Sequence, residues 1–386
     1  MPLRLAIATP RFWPLPGDGA LHALQLATEW SAQGHEVTVV TPQWKRSWPS
    51  AQSIRGVSVI RLPGAPHGPW AMFRWLHHLR RWLREPARTS LDATFICSLG
   101  YEAYVALVAA GDAQSRLALL AHEHDLHWEQ QALFGHRVAV RCRKAECVIA
   151  PTSQIADALV ASGYRQSALH VIPRGAPRPC PHTRHSRAVA RAMLAAANYD
   201  LATTDESLVA LAIGRFDDEH YFSDLVRAWR IVRAERPEAR LWLVGDGPER
   251  DKLYRQIGDL DQRFRILLPG WFDCLDDLLL AADLAIFPAA HQCPPLAMLE
   301  ALGAGIPVVT AASPSSVQQR HHHPSIQLFP QGNAKALAAA IVNAFAGTVH
   351  MNAGSLGASQ GSAALSAADE ANACLSLLQS RPKMAK

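Results

Sequence analysis

The sequence contains no run approaching the ~18 uninterrupted apolar residues that a membrane-spanning helix requires. It has no Cys-x-x-Cys pair. Its seven cysteines (Cys97, Cys142, Cys147, Cys180, Cys274, Cys293 and Cys374) are odd in number and scattered. That spacing argues against a disulfide scaffold or a zinc ribbon and points to a reducing cytoplasm. The opening Met1-Pro2-Leu3-Arg4-Leu5-Ala6-Ile7 has an apolar run too short for a secretory leader, so none is expected. No internal repeat with a period of ~20–50 residues is present, which sets aside solenoids and propellers. Charged residues are only 18% of the chain, while hydrophobic ones reach 49%. This is the balance of a soluble globular protein rather than a disordered one.

At 386 residues the chain has room for two cores. Its charge is unevenly spread. Residues 1–175 carry 18 Lys+Arg against 12 Asp+Glu, and residues 207–386 carry 16 against 18. A net +6 on the front half suggests an anionic partner there. It is too weak, and too free of recognition motifs, for a nucleic-acid-binding protein.

Short apolar runs alternate with stretches of helical periodicity. Leu3–Ala8, Val37–Val40, Ala93–Ile96, Leu117–Leu120, Glu146–Ala150 and His170–Ile172 read as buried parallel strands. A second series follows at Leu208–Ile213, Arg240–Val244, Phe264–Leu268, Leu284–Phe287 and Pro307–Val309. The first βαβ unit takes a helix from Leu21 to a stop at Gly34. The expectation is an α/β chain of two Rossmann-like domains, residues 1–175 and 207–346. A Pro/Arg/Ala-rich linker (176–206) joins them, with a helix candidate at Ala188–Ala197. A Gly/Ser/Ala-rich connector (347–365) and a C-terminal helix and tail (366–386) follow.

Open parallel sheets bind ligands beyond the carboxyl ends of their strands. Four such places carry chemistry. Gly17-Asp18-Gly19 precedes a helix, where free N–H groups favour phosphate; the alternative is a plain turn. Arg215 follows the strand 208–213, where a guanidinium can grip phosphate oxygens or form a surface salt bridge. Asp217-Asp218-Glu219 reads as helix-capping acids ahead of a metal site. Gly245-Asp246-Gly247 is a glycine turn after a strand, suited to a nucleotide contact or to an Asp cap. Glu300 lies inside an otherwise apolar helix, and a carboxylate buried there needs hydrogen-bonding partners or a ligand hydroxyl.

Taken together, these segments resemble the retaining GT-B glycosyltransferases, specifically family 4 (group 1). The similarity runs over about residues 3–345. It is carried by Ala8–Pro14 with Gly17–His22, Gln33–Val39, His124-Asp125-Leu126, Val171–Gly175, Ile213–Phe216, Val244–Pro248 and Leu299–Val309. The resemblance implies two Rossmann-like domains facing across a cleft. It also implies sugar transfer from a nucleotide diphosphate sugar, with no bound metal and no cofactor. Arg215 would hold the leaving diphosphate, and Glu300 the ribose hydroxyls. Gly17, Asp18 and Gly19 would let backbone approach the diphosphate. His124 would lie near the donor sugar, and Gly245 and Gly270 would border the base. Pro294, Pro295 and Leu296 lead into the Glu300 helix. Where the family has lysine five residues after the arginine, this chain has His220. Where it has the first Glu of Glu-x7-Glu, this chain has Gln292. His220 and Gln292 are therefore counted with the catalytic set. They also open an alternative: a catalytically impaired homologue that binds nucleotide sugar or a protein partner without turnover. The acceptor is a glycan, a lipid-linked saccharide or a small molecule.

One further stretch, residues 69–88, places Met72, Trp75, Leu76, Leu79, Trp82 and Leu83 on one helical face, with Arg74, His77, His78, Arg80, Arg81 and Arg84 on the rest. The apolar stripe reads as a crossover helix packed on the first sheet. The other reading is peripheral contact with the inner face of a membrane. His321-His322-His323 reads as an exposed polar loop rather than a metal site.

Overall fold

The computed structural model describes residues 2–15, 17–65, 68–85, 91–110, 117–176, 182–204, 206–260, 265–272, 275–353 and 365–379. The chain divides into two compact units. One comprises Met1–Leu15, Gly19–Gly175 and Leu365–Lys386; the other comprises Pro16–Asp18 and Ala176–Ala364.

The first unit is built on eight strands: β1 (Arg4–Ala8), β2 (Glu36–Pro42), β3 (Ala51–Ile54), β4 (Val57–Leu62), β5 (Ala93–Ile96), β6 (Leu117–Leu120), β7 (Val148–Ala150) and β8 (Leu169–Val171). Their order is β3-β4-β2-β1-β5-β6-β7-β8. All neighbours are parallel except the β3–β4 hairpin at one edge. Accompanying them are α1 (Asp18–Ala32), α2 (Pro69–Arg84), α3 (Tyr101–Ala110), α4 (Asp125–Gln131), α5 (Gly135–Cys142) and α6 (Ser153–Ala161). Parallel pairing demands crossovers, and α1 buries Leu24, Leu26 and Trp30 in the core that also holds Leu5, Ile7 and Phe95. Helix α1 starts at Asp18, three residues before the expected Leu21, so Gly19 lies in its first turn.

The second unit carries α7 (Arg184–Ala197), β9 (Leu208–Ile213), α8 (Phe222–Glu235), β10 (Ala239–Val244), α9 (Arg250–Asp259), β11 (Ile266–Gly270), α10 (Asp276–Ala281), β12 (Leu284–Phe287), α11 (Leu296–Gly303), β13 (Val308–Ala311), α12 (Pro314–His322), β14 (Ile326–Phe329) and α13 (Ala334–Ala353). Its six-stranded sheet runs β11-β10-β9-β12-β13-β14, parallel throughout. The order reverses direction at β9 and β12, which is the switch point where such sheets open a crevice.

Two expected boundaries shift. Within the linker span 176–206, α7 is seated in the second unit. A capping box between Thr183 and Ser186 starts it. Arg187 and Arg191 both bind the buried Asp283, the latter at 2.7 Å. The connector expected at 347–365 is helical as far as Ala353, because the Ala-rich sequence carries α13 onward through Gly347. Residues 354–364 of that span lie outside the described residues, as do Cys180 and Cys274. The remaining five cysteines are buried, and burial pushes the Cys97 and Cys142 thiols up to about 12.

The C-terminal helix, α14 (Ala367–Gln379), packs into the first unit. Its Ala371 carbonyl accepts the Trp30 indole N–H at 2.9 Å, and Cys374 and Leu375 join the first unit's core.

Candidate active site

In the second unit the site grows from three adjacent strand ends. Backbone bonds run from Gly214 N–H to the Val244 carbonyl (3.1 Å) and from Gly245 N–H to the Gly270 carbonyl (3.0 Å). A third joins Phe216 N–H to Asp246 O at 3.1 Å. Gly245 is required here. Its φ is +153°, and a Cβ would fall 1.9 Å from the Gly214 carbonyl oxygen. The ends of β9, β10 and β11 thus form a surface of bare backbone. At Gly270 (φ +93°) a Cβ would meet nothing within 4 Å. Asp246 does not cap α9, which begins at Arg250. Its carboxylate accepts the Gly247 N–H at 2.9 Å instead.

Arg215 leaves β9 half-exposed, and its Nε lies 3.3 Å from Asp217 Oδ2. Asp217 caps a 3-10 turn at residues 218–220, accepting the His220 N–H at 3.2 Å and facing His220 Nδ1 at 2.5 Å. Burial alone would raise the Asp217 pKa. The hydrogen bond from His220 and the charges of His220 and Arg215 outweigh it and hold the carboxyl below its usual range. With Nδ1 donating to Asp217, the other imidazole nitrogen of His220 is left to a ligand. The His291 ring, which sequence reasoning did not single out, lies 6.1 Å from that of His220.

From β12 the chain turns through His291, Gln292 and the buried Cys293 and Pro294 to Pro295, whose carbonyl accepts the Met298 N–H at 2.9 Å and opens α11 at Leu296. Ser313 Oγ donates to the His291 carbonyl at 2.8 Å and pins the loop. Gln292 is half-buried. Glu300 is half-buried too, on a helix whose other residues before Gly303 are buried. Its partial exposure replaces the fully buried carboxylate expected from the apolar run.

Gly17 (φ +148°) stands open ahead of α1, whose first-turn acid is Asp18. A Cβ at Gly19 would lie 3.6 Å from His122 Nε2. His122 follows β6 and is 3% exposed. Asp125 fixes it by accepting the His122 N–H (2.8 Å) and the Leu99 N–H (3.0 Å). An Arg174 Nη donates to Nδ1 at 3.0 Å, so the proton of the neutral ring sits on Nε2, directed at Gly19 without a protein partner. Burial, then the charges of Arg174, His124 and His22, push its pKa well below the ordinary value. Behind it, His22 Nε2 meets Glu370 Oε1 at 2.6 Å, and Glu370 Oε2 accepts the Gly175 N–H at 2.8 Å. His124, the histidine expected at the site, is exposed and stacked on His122 at 5.6 Å. His122 escaped notice because it directly follows an apolar strand; the signal available was the dense His122-Glu123-His124-Asp125 run.

The structure thus sets Gly19 against His122, with Gly17 and Asp18 preceding it in the chain. It gathers Arg215, His220, Gly245 and Gly270 at the strand ends of the other sheet, and sets Gln292, Pro294, Pro295, Leu296 and Glu300 along the path from β12 into α11. Among the described residues, no three His, Cys, Asp or Glu side chains gather as metal ligands.

Two family models match the chain: the group 1 glycosyl transferases over residues 207–346, and glycosyltransferase family 4 over residues 19–178. The chain belongs to the group 1/family 4 glycosyltransferases. The lipopolysaccharide core biosynthesis glycosyltransferases LpsD and LpsE of Rhizobium meliloti (strain 1021) are relatives. LpsD is 31% identical over 145 residues, covering 38% of this chain and 41% of its own. LpsE is 30% identical over 171 residues, covering 44% and 45%. The chain therefore spans less than half the length of these curated relatives. The crystal structure of Anabaena HepE in complex with UDP and glucose superposes with a TM-score of 0.72 at 19% identity, covering 98% of this chain and 100% of that one. That likeness identifies the fold as GT-B, in keeping with the family.

Proposed function

We infer that the chain is a retaining glycosyltransferase that moves a sugar from a nucleotide diphosphate sugar to a saccharide acceptor. The observation that carries this reading is the Arg215–Asp217–His220 cluster beside the bare glycine backbone of Gly214, Gly245 and Gly270. In transfer, the bond from the anomeric carbon to the diphosphate breaks and its electron pair stays on the diphosphate. The acceptor oxygen bonds the same face of the carbon, and its proton passes to the departing phosphate. Arg215 neutralises the charge that grows on the leaving group, a stabilisation that strengthens as the bond breaks. Asp217 orients that guanidinium, and Glu300 accepts ribose hydroxyls. Protein groups carry the charge in this scheme, and no metal or cofactor enters it.

HepE, solved with UDP and glucose, makes UDP the first nucleotide to try. The names of LpsD and LpsE favour a saccharide on a lipid carrier as acceptor. Peripheral membrane contact through α2 fits that acceptor. The predicted stripe residues Trp75, Leu79 and Trp82 are buried in the unit, with the Trp75 indole donating to Glu102 at 3.0 Å. Trp70 (87% exposed) and Phe73 (68%) project outward beside Arg74 and His77. Aromatic tips ringed by cations suit a bilayer interface. No helix among the described residues is long and apolar enough to cross one.

Titration calorimetry with UDP, GDP and ADP tests the reading, using the wild type and Glu300→Ala. One nucleotide binding tightly to the wild type and weakly to the variant is expected. Binding of none would overturn it. Anomer-resolved NMR of the product reports on retention, and nucleotide binding without any release of UDP from UDP-hexoses would favour the impaired homologue.

A further inference from the structure

Residues 37–84 hold eight Lys+Arg and not one Asp or Glu, together with five of the chain's eleven tryptophans. The structure gathers part of this stretch at the carboxyl ends of β1 and β2, where a parallel sheet receives ligands. Two loops meet there. The loop after β1 supplies Arg11 and Trp13, and the loop after β2 supplies Trp44, Lys45, Arg46 and Trp48. They are tied by the Trp44 indole N–H to the Pro10 carbonyl (2.9 Å). Arg61, from β4, donates to the carbonyls of Pro49 (2.9 Å) and Trp13 (3.1 Å).

The cations of this corner rest on indoles. Arg11 lies over Trp44 at 5.5 Å; Lys45 and Arg61 each lie 5.6 Å from the Trp48 ring. Among the described residues, no carboxylate lies within ion-pair distance of Lys45, Arg46 or Arg61. The distinction matters chemically. A carboxylate cancels a cation's charge, whereas an indole face holds the cation in place and leaves its charge intact. Arg61 is only 3% exposed and bonds only neutral carbonyls; burial lowers its pKa, yet a guanidinium stays charged at neutral pH. Lys45 and Arg46 are exposed at the mouth of the corner. The result is a pre-positioned positive surface set against indole faces, in which no acid among the described residues pairs with Lys45, Arg46 or Arg61.

We propose that the corner formed by Arg11, Trp44, Lys45, Arg46, Trp48 and Arg61 binds the phosphate group of a phosphorylated saccharide acceptor. The proposal rests on the glycosyltransferase reading for the word acceptor, and on the corner alone for phosphate binding. The phosphate has two sources, a soluble sugar phosphate or a phospholipid-type headgroup that carries the saccharide.

Calorimetric titration of the full chain with glucose 6-phosphate, glucose and UDP tests it, beside sedimentation with phosphatidylglycerol/phosphatidylcholine vesicles. The variants are Lys45→Glu/Arg46→Glu and the milder Lys45→Ala/Arg46→Ala. Both change exposed side chains, and an unchanged melting temperature reports an intact fold. Glucose 6-phosphate binding that weakens about tenfold in the charge-reversed variant and less in the alanine variant, with glucose not binding, supports the site with a soluble source. Vesicle binding that falls in the same order, without glucose 6-phosphate binding, supports it with a headgroup source. Neither probe distinguishing wild type from the variants overturns it. Absence of UDP binding alongside a positive result would sink the donor reading and leave the phosphate site standing.

Discussion

His122 at the end of β6 and Arg215 at the end of β9 both stand where a parallel strand gives way to a loop, yet their surroundings are opposite. His122 is enclosed, pressed between Arg174, His22 and His124, and burial strips it of charge. Arg215 is half-exposed beside Asp217, whose carboxyl stays ionised because His220 and Arg215 face it. The same fold position thus yields a neutral hydrogen-bond donor in one unit and a fixed charge in the other. Burial and residue type together set which chemistry each strand end offers: burial neutralises an imidazole, whereas a guanidinium keeps its charge.

That contrast can be broken from either side. The largest effect is expected at the charged end: Arg215→Ala should lower kcat about 10²–10³-fold, since a group acting on transition-state charge is lost, and steady-state release of UDP reads it. The support of the neutral end comes next. Glu370→Ala leaves His22 and the Gly175 N–H without their buried partner and should cost about 3 kcal/mol, measured by thermal unfolding; Glu370→Gln, which keeps the Gly175 bond, should cost less.

A smaller effect follows from protonation. The pKa of His122 in the fold lies well below the 6.5 of the unfolded chain, so the unfolded state takes up a proton first as pH falls. Stability from this group is complete above pH 6.5 and declines as pH drops from there toward the lowered native value. His122→Gln should flatten that decline relative to the wild type in melting curves between pH 7 and 5. The smallest expected effect is none: with protein groups carrying the diphosphate charge, excess EDTA should leave the rate unchanged, and its abolition would shift the charged end's work to a metal.

The alternation of apolar runs was enough to place most strands, because a doubly covered parallel strand is apolar throughout. It missed β3 and β4, whose alternating burial and polar Ser53 and Ser58 mark a partly exposed edge hairpin. It also missed the short edge strand β14. The placing of Arg215, Gly245 and Gly270 at strand ends was legible because glycine and arginine there carry local meaning. His122 and Glu370 were not: what makes them matter is burial against residues up to 348 positions away, which no local pattern records. Trp70 and Phe73 were hidden for the converse reason. Helical spacing finds the stripe that packs, and the exposed aromatics fall off it.

The return of α14 sets the timing of folding. The pocket behind His122 needs Glu370 for His22 and for Gly175 N–H, and the Trp30 indole needs the Ala371 carbonyl. During synthesis at ~5–20 residues per second, everything from Gly175 to α14 must emerge before those groups are met. The first unit to leave the ribosome is therefore the last to be completed. For an interval of roughly ten seconds or more at that pace, it waits with an unsealed polar seam.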